Sequence, residues 1–283
     1  MNVLVTGMDG FVGNAFRRMF EERGDTVFPA SKEQLLTGKW GLEETVEGAD
    51  IVINLAGESV LRRWSDRKQM EIVESRRVAT RNLVKAVNNV CRKPRLWVNA
   101  SVAGIYHPGV FCDEESVEIG CHFLAGMAKA WEQEVNYLTS VRTVILRLGA
   151  VISEEGGIAR VLLPMIRSRV VPVLGTGSQE LPVIHLKDVI GFVQYAIENE
   201  QIEGVYNLAI PNAVSFRDFV KSLSAVRRPV LRVKLPEWLL HLLMGEMATA
   251  LTRSAHIIPM RMMRSGYELQ YGTAREIWRE VMN

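Results

Sequence analysis

Thr6-Gly7-Met8-Asp9-Gly10-Phe11-Val12-Gly13 is the stretch that decides the fold. Its glycines stand three apart, between an apolar run at Val3–Val5 and helically spaced apolar residues over Val12–Arg23. Gly7 permits a tight turn, Gly10 lets the backbone approach a pyrophosphate, and Gly13 lets helix and strand pack closely. The helix start adds unpaired amides and the positive end of its dipole. Out of context three glycines are an ordinary strand-to-helix turn. At the junction of a first strand and a first helix they read as a dinucleotide-binding turn, flanked by Thr6, Phe11 and Val12. No GxxxxGK[ST] occurs, so an ATP-binding P-loop has nothing to rest on.

The same rhythm continues downstream. Apolar runs at Thr26–Pro29, Ile51–Leu55, Trp97–Ala100 and Thr143–Leu148 alternate with helical patterns such as Thr80–Val90 and Ala125–Leu138. Such alternation marks parallel strands joined by crossover helices, so the expected class is α/β with a Rossmann-type doubly wound parallel sheet. After Leu148 the pattern turns irregular, with Gly156-Gly157, Gly175 and Gly177 around a helical Ile158–Ser168. Val183-Ile184, Asp188–Asn199 and Gly204–Ala209 then read as strand, helix and strand. Further helices are expected over Ser215–Ser224, with a serine cap, and over Pro236–Leu251; Arg261–Arg264 reads as packing and capping.

Bulk properties exclude several classes. The 283 residues are 48% hydrophobic, enough for one large α/β unit and a smaller piece, which argues against disorder. A net charge of +2, from 34 basic and 32 acidic residues spread along the chain, creates no field suited to nucleic acid. Cys91, Cys112 and Cys121 form no CxxC pair and no zinc pattern, so no metal is expected and a reducing cytoplasmic setting fits. MNVLVTG runs into a strand without the features of a secretory signal. Trp238–Met244 is too short and too interrupted to span a membrane.

The second apolar run ends in Pro29-Ala30-Ser31-Lys32, with no acid before Glu33. In this class of fold an acid there accepts from the ribose 2′-hydroxyl of NAD, whereas a cation meets the 2′-phosphate of NADP. Ser31 can donate and Lys32 can pair with phosphate, which favours NADP(H) over NAD. The alternative is that Lys32 is a solvated loop lysine.

The spacing GxxGxxG resembles the extended short-chain dehydrogenase/reductase superfamily, which includes sugar-nucleotide epimerases and dehydratases. Asn54-Leu55-Ala56-Gly57 resembles that superfamily's backbone motif along the ribose and nicotinamide. Arg147-Leu148-Gly149 resembles its LRxG strand end, and Ile184-His185-x-x-Asp188 its return to the sheet. Further segments resemble an atypical, epimerase-like branch with a small C-terminal domain. These are Glu58, Arg63-Trp64, Arg67-Lys68, Ser75-Arg76, Thr80, Phe123-Leu124-Ala125 and Trp131-Glu132, then Gly245-Glu246-Met247-Ala248 and Ser265-Gly266-Tyr267. The resemblance implies that residues 1–149 and 178–210 form the nucleotide-binding domain. Residues 150–177 and 211–283 would then form a smaller interleaved α/β domain on the substrate side. It also assigns Asn54, Leu55, Ala56, Gly57, Ala100 and Arg147 to the cofactor.

One family feature is missing. The superfamily uses a tyrosine for proton transfer, assisted by a lysine four residues on that lowers a phenol pKa from about 10. None of the six tyrosines here has such a lysine. Matching Trp131-Glu132 to the family's helix puts Leu124 and Ala128 where the pair would stand. Lys129 points about 100° away around the helix. Asn99-Ala100-Ser101-Val102-Ala103-Gly104-Ile105-Tyr106-His107 resembles the segment that carries the superfamily's catalytic serine. Ser101 and Tyr106 are therefore the catalytic candidates, with His107 a neighbouring titratable group; a turn serine, a packed aromatic and a surface histidine are the alternatives. Glu58, Trp64, Lys68 and Arg76 are candidates for the substrate pocket, as an acid, a stacking platform and anion binders, or else a solvated helix face. His185 and Asp188 read as structural.

Two functions follow as expectations. One is an NADP(H)-dependent oxidoreductase or epimerase acting on a small carbonyl, alcohol or nucleotide-sugar. The other is a non-catalytic NADP(H)-binding redox sensor or regulator. The expected partners are a small molecule and a second copy of the chain, with neither nucleic acid nor membrane.

Overall fold

Val3 and Val5 point to one side of the first strand and Leu4 to the other, and all three are fully buried, so the sheet they start must be covered on both faces. The computed structural model describes residues 1–60, 63–223, 231–245, 248–249 and 256–282. In chain order the first part runs β1 (Asn2–Thr6), α1 (Phe11–Glu22), β2 (Thr26–Phe28), α2 (Lys32–Thr37), α3 (Leu42–Glu47) and β3 (Ile51–Asn54). It continues with α4 (Asp66–Asn89), β4 (Leu96–Val102), β5 (Phe111–Cys112), α5 (Phe123–Val135) and β6 (Arg142–Leu148). The later part starts with β7 (Ala150–Ser153), α6 (Gly157–Arg167), β8 (Val170–Leu174), β9 (Glu180–Leu181), β10 (Val183–His185), α7 (Leu186–Glu198) and β11 (Gly204–Leu208). It ends with β12 (Val214–Ser215), α8 (Phe216–Leu223), β13 (Leu231–Leu235), α9 (Glu237–Met244), β14 (His256–Ile257), α10 (Met260–Arg264) and α11 (Ala274–Met282).

Six strands form one parallel sheet in the order β11-β6-β4-β3-β1-β2. Phe16 and Phe20 of α1 join Val189, Phe192 and Val193 of α7 on the face that carries Val3 and Val5. Leu83, Val84 and Val87 of α4 cover Leu4, Val52 and Trp97 on the other. Each such side chain contributes about 1.5–3 kcal/mol by leaving water. The doubly wound parallel sheet expected from the apolar rhythm is present, with β4 and β3 at its middle.

Three elements differ from expectation. Sequence rhythm starts the long helix at Thr80, but α4 begins at Asp66, because Ser65 caps it and only one face of its charged first half, at Ile72 and Arg76, is buried. Val183-Ile184 does not return to the central sheet; β10 pairs in parallel with β7, Val183 opposite Ala150. That pairing ties together stretches assigned by sequence to separate domains. The helix expected over Pro236–Leu251 is α9, which stops before Gly245 at φ +63°; Glu246, Met247 and Leu251 lie outside the described residues. Ser224, the expected end of the preceding helix, also lies outside them. Ser215 does cap α8, accepting from the Asp218 amide at 3.0 Å.

A second core gathers α6, α8 and α11 with β7 and β8, centred on the buried Phe219 and Trp278, whose indole donates to the Phe219 carbonyl at 2.8 Å. Asp188 ties this part to the sheet. Its buried carboxylate accepts from the backbone amides of Gln270 at 2.7 Å and Tyr271 at 3.2 Å. Burial raises its pKa despite those two donors. No helix among the described residues is long and apolar enough to cross a membrane.

Candidate cofactor groove and active site

The glycine turn has the geometry its spacing requires. Gly7 is at φ +68°, and the Gly10 amide donates to the Gly7 carbonyl at 3.0 Å. A Cβ on Gly7 would lie 2.7 Å from the Leu55 carbonyl oxygen, and one on Gly13 would lie 2.2 Å from that of Gly7. No side chain caps α1 and no acid occupies its first turn, so the amides around Phe11 and Val12 have no side-chain acceptor at the helix start. The Phe11 ring turns away, onto Gly156.

Behind the turn, Thr6 and Asn54 are wholly buried. The Thr6 hydroxyl donates to Asn54 Oδ1 at 2.8 Å and accepts from the Leu55 and Ala56 amides at 3.0 Å each. Asn54 in turn donates to Thr80 and to Asn99. These residues shape the ridge Leu55-Ala56-Gly57 from within; the ridge itself is what borders the groove.

A groove of about 360 Å³ is lined by Gly7, Ala30, Lys32, Ala56, Gly57 and Glu58, among others. Ser31 caps α2, accepting from the Gln34 amide at 3.1 Å, while the Gln34 side chain accepts from the Ser31 amide at 2.7 Å. The hydroxyl is thus engaged in the helix start, although it is exposed beside the groove. Lys32 Nζ donates to Glu58 Oε1 at 3.1 Å. Glu58 therefore stands at the groove, not on a substrate-side helix face.

Arg76 is packed under the ridge. A Cβ on Gly57 would lie 2.7 Å from its Cζ, and the guanidinium rides over the Trp131 ring at 5.0 Å. Nη1 donates to the Ile72 carbonyl at 3.0 Å, but buried Nε has no partner. Burial pushes its pKa down to about 10, with the charge of Glu58 acting the other way. Sequence reasoning counted this arginine as a substrate-pocket candidate and missed its contact with the cofactor ridge. The Arg-for-glycine complementarity at Gly57 is visible only in three dimensions.

The two catalytic candidates are sealed. Opposite each other in the β4–β6 register, Ser101 and Arg147 both reach Glu132 of α5. The Ser101 hydroxyl donates to Glu132 Oε1 at 2.5 Å. Arg147 Nε and Nη2 donate to the two carboxylate oxygens at 2.9 and 2.8 Å, and Nη1 donates to the Tyr106 hydroxyl at 2.8 Å. Tyr106 donates onward to Asn207 Oδ1 at 2.8 Å. Ser101 and Tyr106 are each 1% exposed. Burial pushes the phenol up to about 12 in spite of Arg147. Burial alone would lower Arg147, but its hydrogen bonds and charge contact with Glu132 hold it above its ordinary value. In this arrangement both hydroxyls and the Arg147 guanidinium are engaged in one buried network. Ala100 is likewise buried in β4.

Leu124 packs over Gly104, where a Cβ would lie 3.1 Å from its Cδ1. It belongs to an apolar cluster with Trp64, Ile72, Met127 and Phe123. Trp64 is inside this cluster, edge-on to Phe123 at 4.7 Å, with its indole donating to the Val60 carbonyl. It is not a free stacking platform. Lys68 is paired with Glu71 on the exposed side of α4. His107 is exposed. His122, at the start of α5, has a buried Nδ1 without a partner, and burial lowers its pKa. His185 caps α7 and packs on Tyr271, a structural role in keeping with its sequence reading. Among the described residues no cluster of His, Cys, Asp and Glu could hold a metal ion.

Residues 3–209 match the model of the NAD dependent epimerase/dehydratase family. The chain belongs to that family. Residues 235–281 of this epimerase/dehydratase-family chain match a domain of unknown function, DUF1731. The whole chain is 30% identical to the mouse epimerase family protein SDR39U1, with 100% of each covered. It is 29% identical to the Bacillus subtilis epimerase family protein YfhF over 96% of this chain and 94% of that one. The crystal structure of human SDR39U1 (isoform 2) with NADPH superposes with a TM-score of 0.90 at 28% identity, covering 99% of both chains. MoeE5, solved with UDP-glucose and NAD, shares the fold at a TM-score of 0.76 and 16% identity, over 100% of this chain and 98% of that one. The epimerase-like short-chain dehydrogenase/reductase assignment and its Rossmann-type sheet hold across the full length.

Proposed function

We propose that the chain binds NADP(H) in the groove beside Gly7 and exchanges hydride with a small carbonyl, alcohol or nucleotide-sugar substrate, without a Tyr/Lys pair. One observation carries the cofactor reading. The turn has no room for a Cβ at Gly7 or Gly13, it leads into a helix with no side-chain cap, and its residues Gly7, Met8 and Asp9 line a groove that also holds Lys32. The amides after Gly10 would hold the pyrophosphate, Lys32 would meet the 2′-phosphate, and Arg76 would gain a second negative charge besides that of Glu58. Bound there, the nicotinamide supplies a hydride donor or acceptor. Around it, Trp64, Phe123, Leu124 and Met127 would exclude water, and a proton would have to come from a group other than Ser101 or Tyr106. The NADPH seen in the human relative supports the same choice of cofactor.

A second reading, a non-catalytic NADP(H)-binding redox sensor or regulator, is favoured by the sealed hydroxyls of Ser101 and Tyr106 and by Leu124 in the place of the phenol. Calorimetric titration with NADPH tests the shared premise, and lack of binding overturns both readings. Cofactor turnover with any member of a carbonyl and sugar-nucleotide panel supports the oxidoreductase. Tight binding without turnover across the panel supports the sensor.

A further inference from the structure

β10 ends in His185, which turns the chain into α7. Its Nδ1 accepts from the Lys187 amide at 3.3 Å. A ring nitrogen that accepts from an amide carries no proton, so the neutral imidazole holds its proton on Nε2. Burial keeps the ring neutral, with its pKa pushed down to about 4. The residue is 3% exposed, and Nε2 has no partner among the described residues. Unlike Arg76 Nε and His122 Nδ1, it is not sealed from solvent. This N–H therefore opens into the space that His185 lines, a cavity of about 440 Å³ between α1, α7, α11 and the turn after β7. The cavity shares no lining residue with the cofactor groove. Its volume lies in the range of small-molecule sites, roughly 300–1,000 Å³.

The charged groups on the walls narrow the choice of ligand. Arg18 of α1 pairs with Glu155 in the turn after β7, and Lys187 of α7 pairs with Glu280 of α11 at 2.5 Å. Glu22 and Glu154 line the cavity as well. Four carboxylates against two cations disfavour an anion. A simple cation has no lone pair to accept the Nε2 proton. A hydroxyl group both donates and accepts, which suits one fixed N–H donor ringed by carboxylate acceptors. Leu186, Ile190 and Met19 add apolar wall for carbon-bound hydrogens. We propose that this cavity is a second ligand site, for a neutral polyol of about monosaccharide size. One hydroxyl oxygen accepts from His185 Nε2, and neighbouring hydroxyls donate to the carboxylates on the walls.

The chain has five histidines, His107, His122, His185, His241 and His256, so ring NMR of the histidine-labelled full chain reports where a probe binds. The neutral probes are myo-inositol, D-sorbitol, D-ribose and D-glucose, with D-glucose 6-phosphate as the anion. At least one neutral probe should move the His185 ring signals saturably at millimolar concentration. If none does so up to about 50 mM, the cavity holds water only and the proposal is overturned. Shifts confined to the other four rings overturn it too, as does glucose 6-phosphate binding more tightly than every neutral probe. Calorimetry with the best neutral probe then reads two variants. His185→Asn keeps an acceptor for the α7 cap but loses the Nε2 proton, and should weaken binding about tenfold. Glu22→Ala, at an exposed position of α1, should weaken it about threefold. Wild-type affinity in His185→Asn overturns the proposal; should that variant fail to fold, Glu22→Ala decides by the same criterion. NADPH binding in the separate groove is untouched by any of these outcomes.

Discussion

Arg147 and Glu132 meet through two parallel hydrogen bonds, at 2.9 and 2.8 Å, under 10% and 12% side-chain exposure. A guanidinium fork on a carboxylate is the strongest arrangement available to such a pair, and Ser101 and Tyr106 complete its hydrogen bonding. Ser101, Arg147 and Glu132 thus form a buried structural network joining β4, β6 and α5. Glu132→Ala should destabilise the chain by about 3–5 kcal/mol, since it leaves a buried cation unpaired. Urea unfolding measures this, and a loss below about 1 kcal/mol would mean that the pair is not buried in solution.

Gly13→Ala places a methyl 2.2 Å from a backbone oxygen that cannot move without opening the turn. The expected cost is about 2–3 kcal/mol, visible as a melting temperature lower by roughly 5–10 °C. NADPH binding should fall at the same time. A variant with wild-type affinity would show that the phosphates do not lie on this turn.

Arg76→Met removes a buried charge whose Nε has no partner. Without cofactor the variant should be as stable as wild type or more so, by about 1 kcal/mol, because an apolar side chain avoids the desolvation cost. With NADPH the order should reverse, as wild type gains more from ligand binding. Thermal melts with and without NADPH read both arms. Equal ligand-induced shifts in the two proteins would remove Arg76 from the cofactor site.

His185 is buried, and its pKa is pushed down to about 4 by desolvation, with the charge of Glu280 acting the other way. The native state stays neutral while the unfolded chain takes up a proton below about pH 6.5. Its stabilising share is therefore complete above that pH and declines as pH falls toward about 4, by roughly 3 kcal/mol in all. In denaturant titrations, His185→Asn should flatten this part of the pH profile and keep a helix-capping side chain. An unchanged slope would assign the acid sensitivity to the carboxylates.

The glycine turn, the alternation of strands and helices and the absent Tyr/Lys pair were all legible in the sequence, because each depends on residues close together in the chain. The spacing of Gly7, Gly10 and Gly13 between a strand and a helix marks a glycine turn within one short stretch of chain. That no tyrosine has a lysine four residues on is visible by residue identity alone. The first half of α4 was not legible, since its charged sequence hides the single buried line through Ile72 and Arg76. The pairing of β10 with β7 was hidden for a related reason, as two short apolar runs carry no mark of which neighbour they choose.

What the sequence by itself determined is the fold class and the location of the glycine turn, because local backbone geometry restricts a Cβ-free turn to glycine. Only the tertiary structure decided the state of the side chains around it. Ser101 and Tyr106 became internal because Glu132 and Arg147, distant from them in sequence, engage their hydroxyls, Ser101 donating to Glu132 and Arg147 donating to Tyr106. Glu58 became a groove residue because two strand ends converge there and bring Lys32 to within 3.1 Å of it.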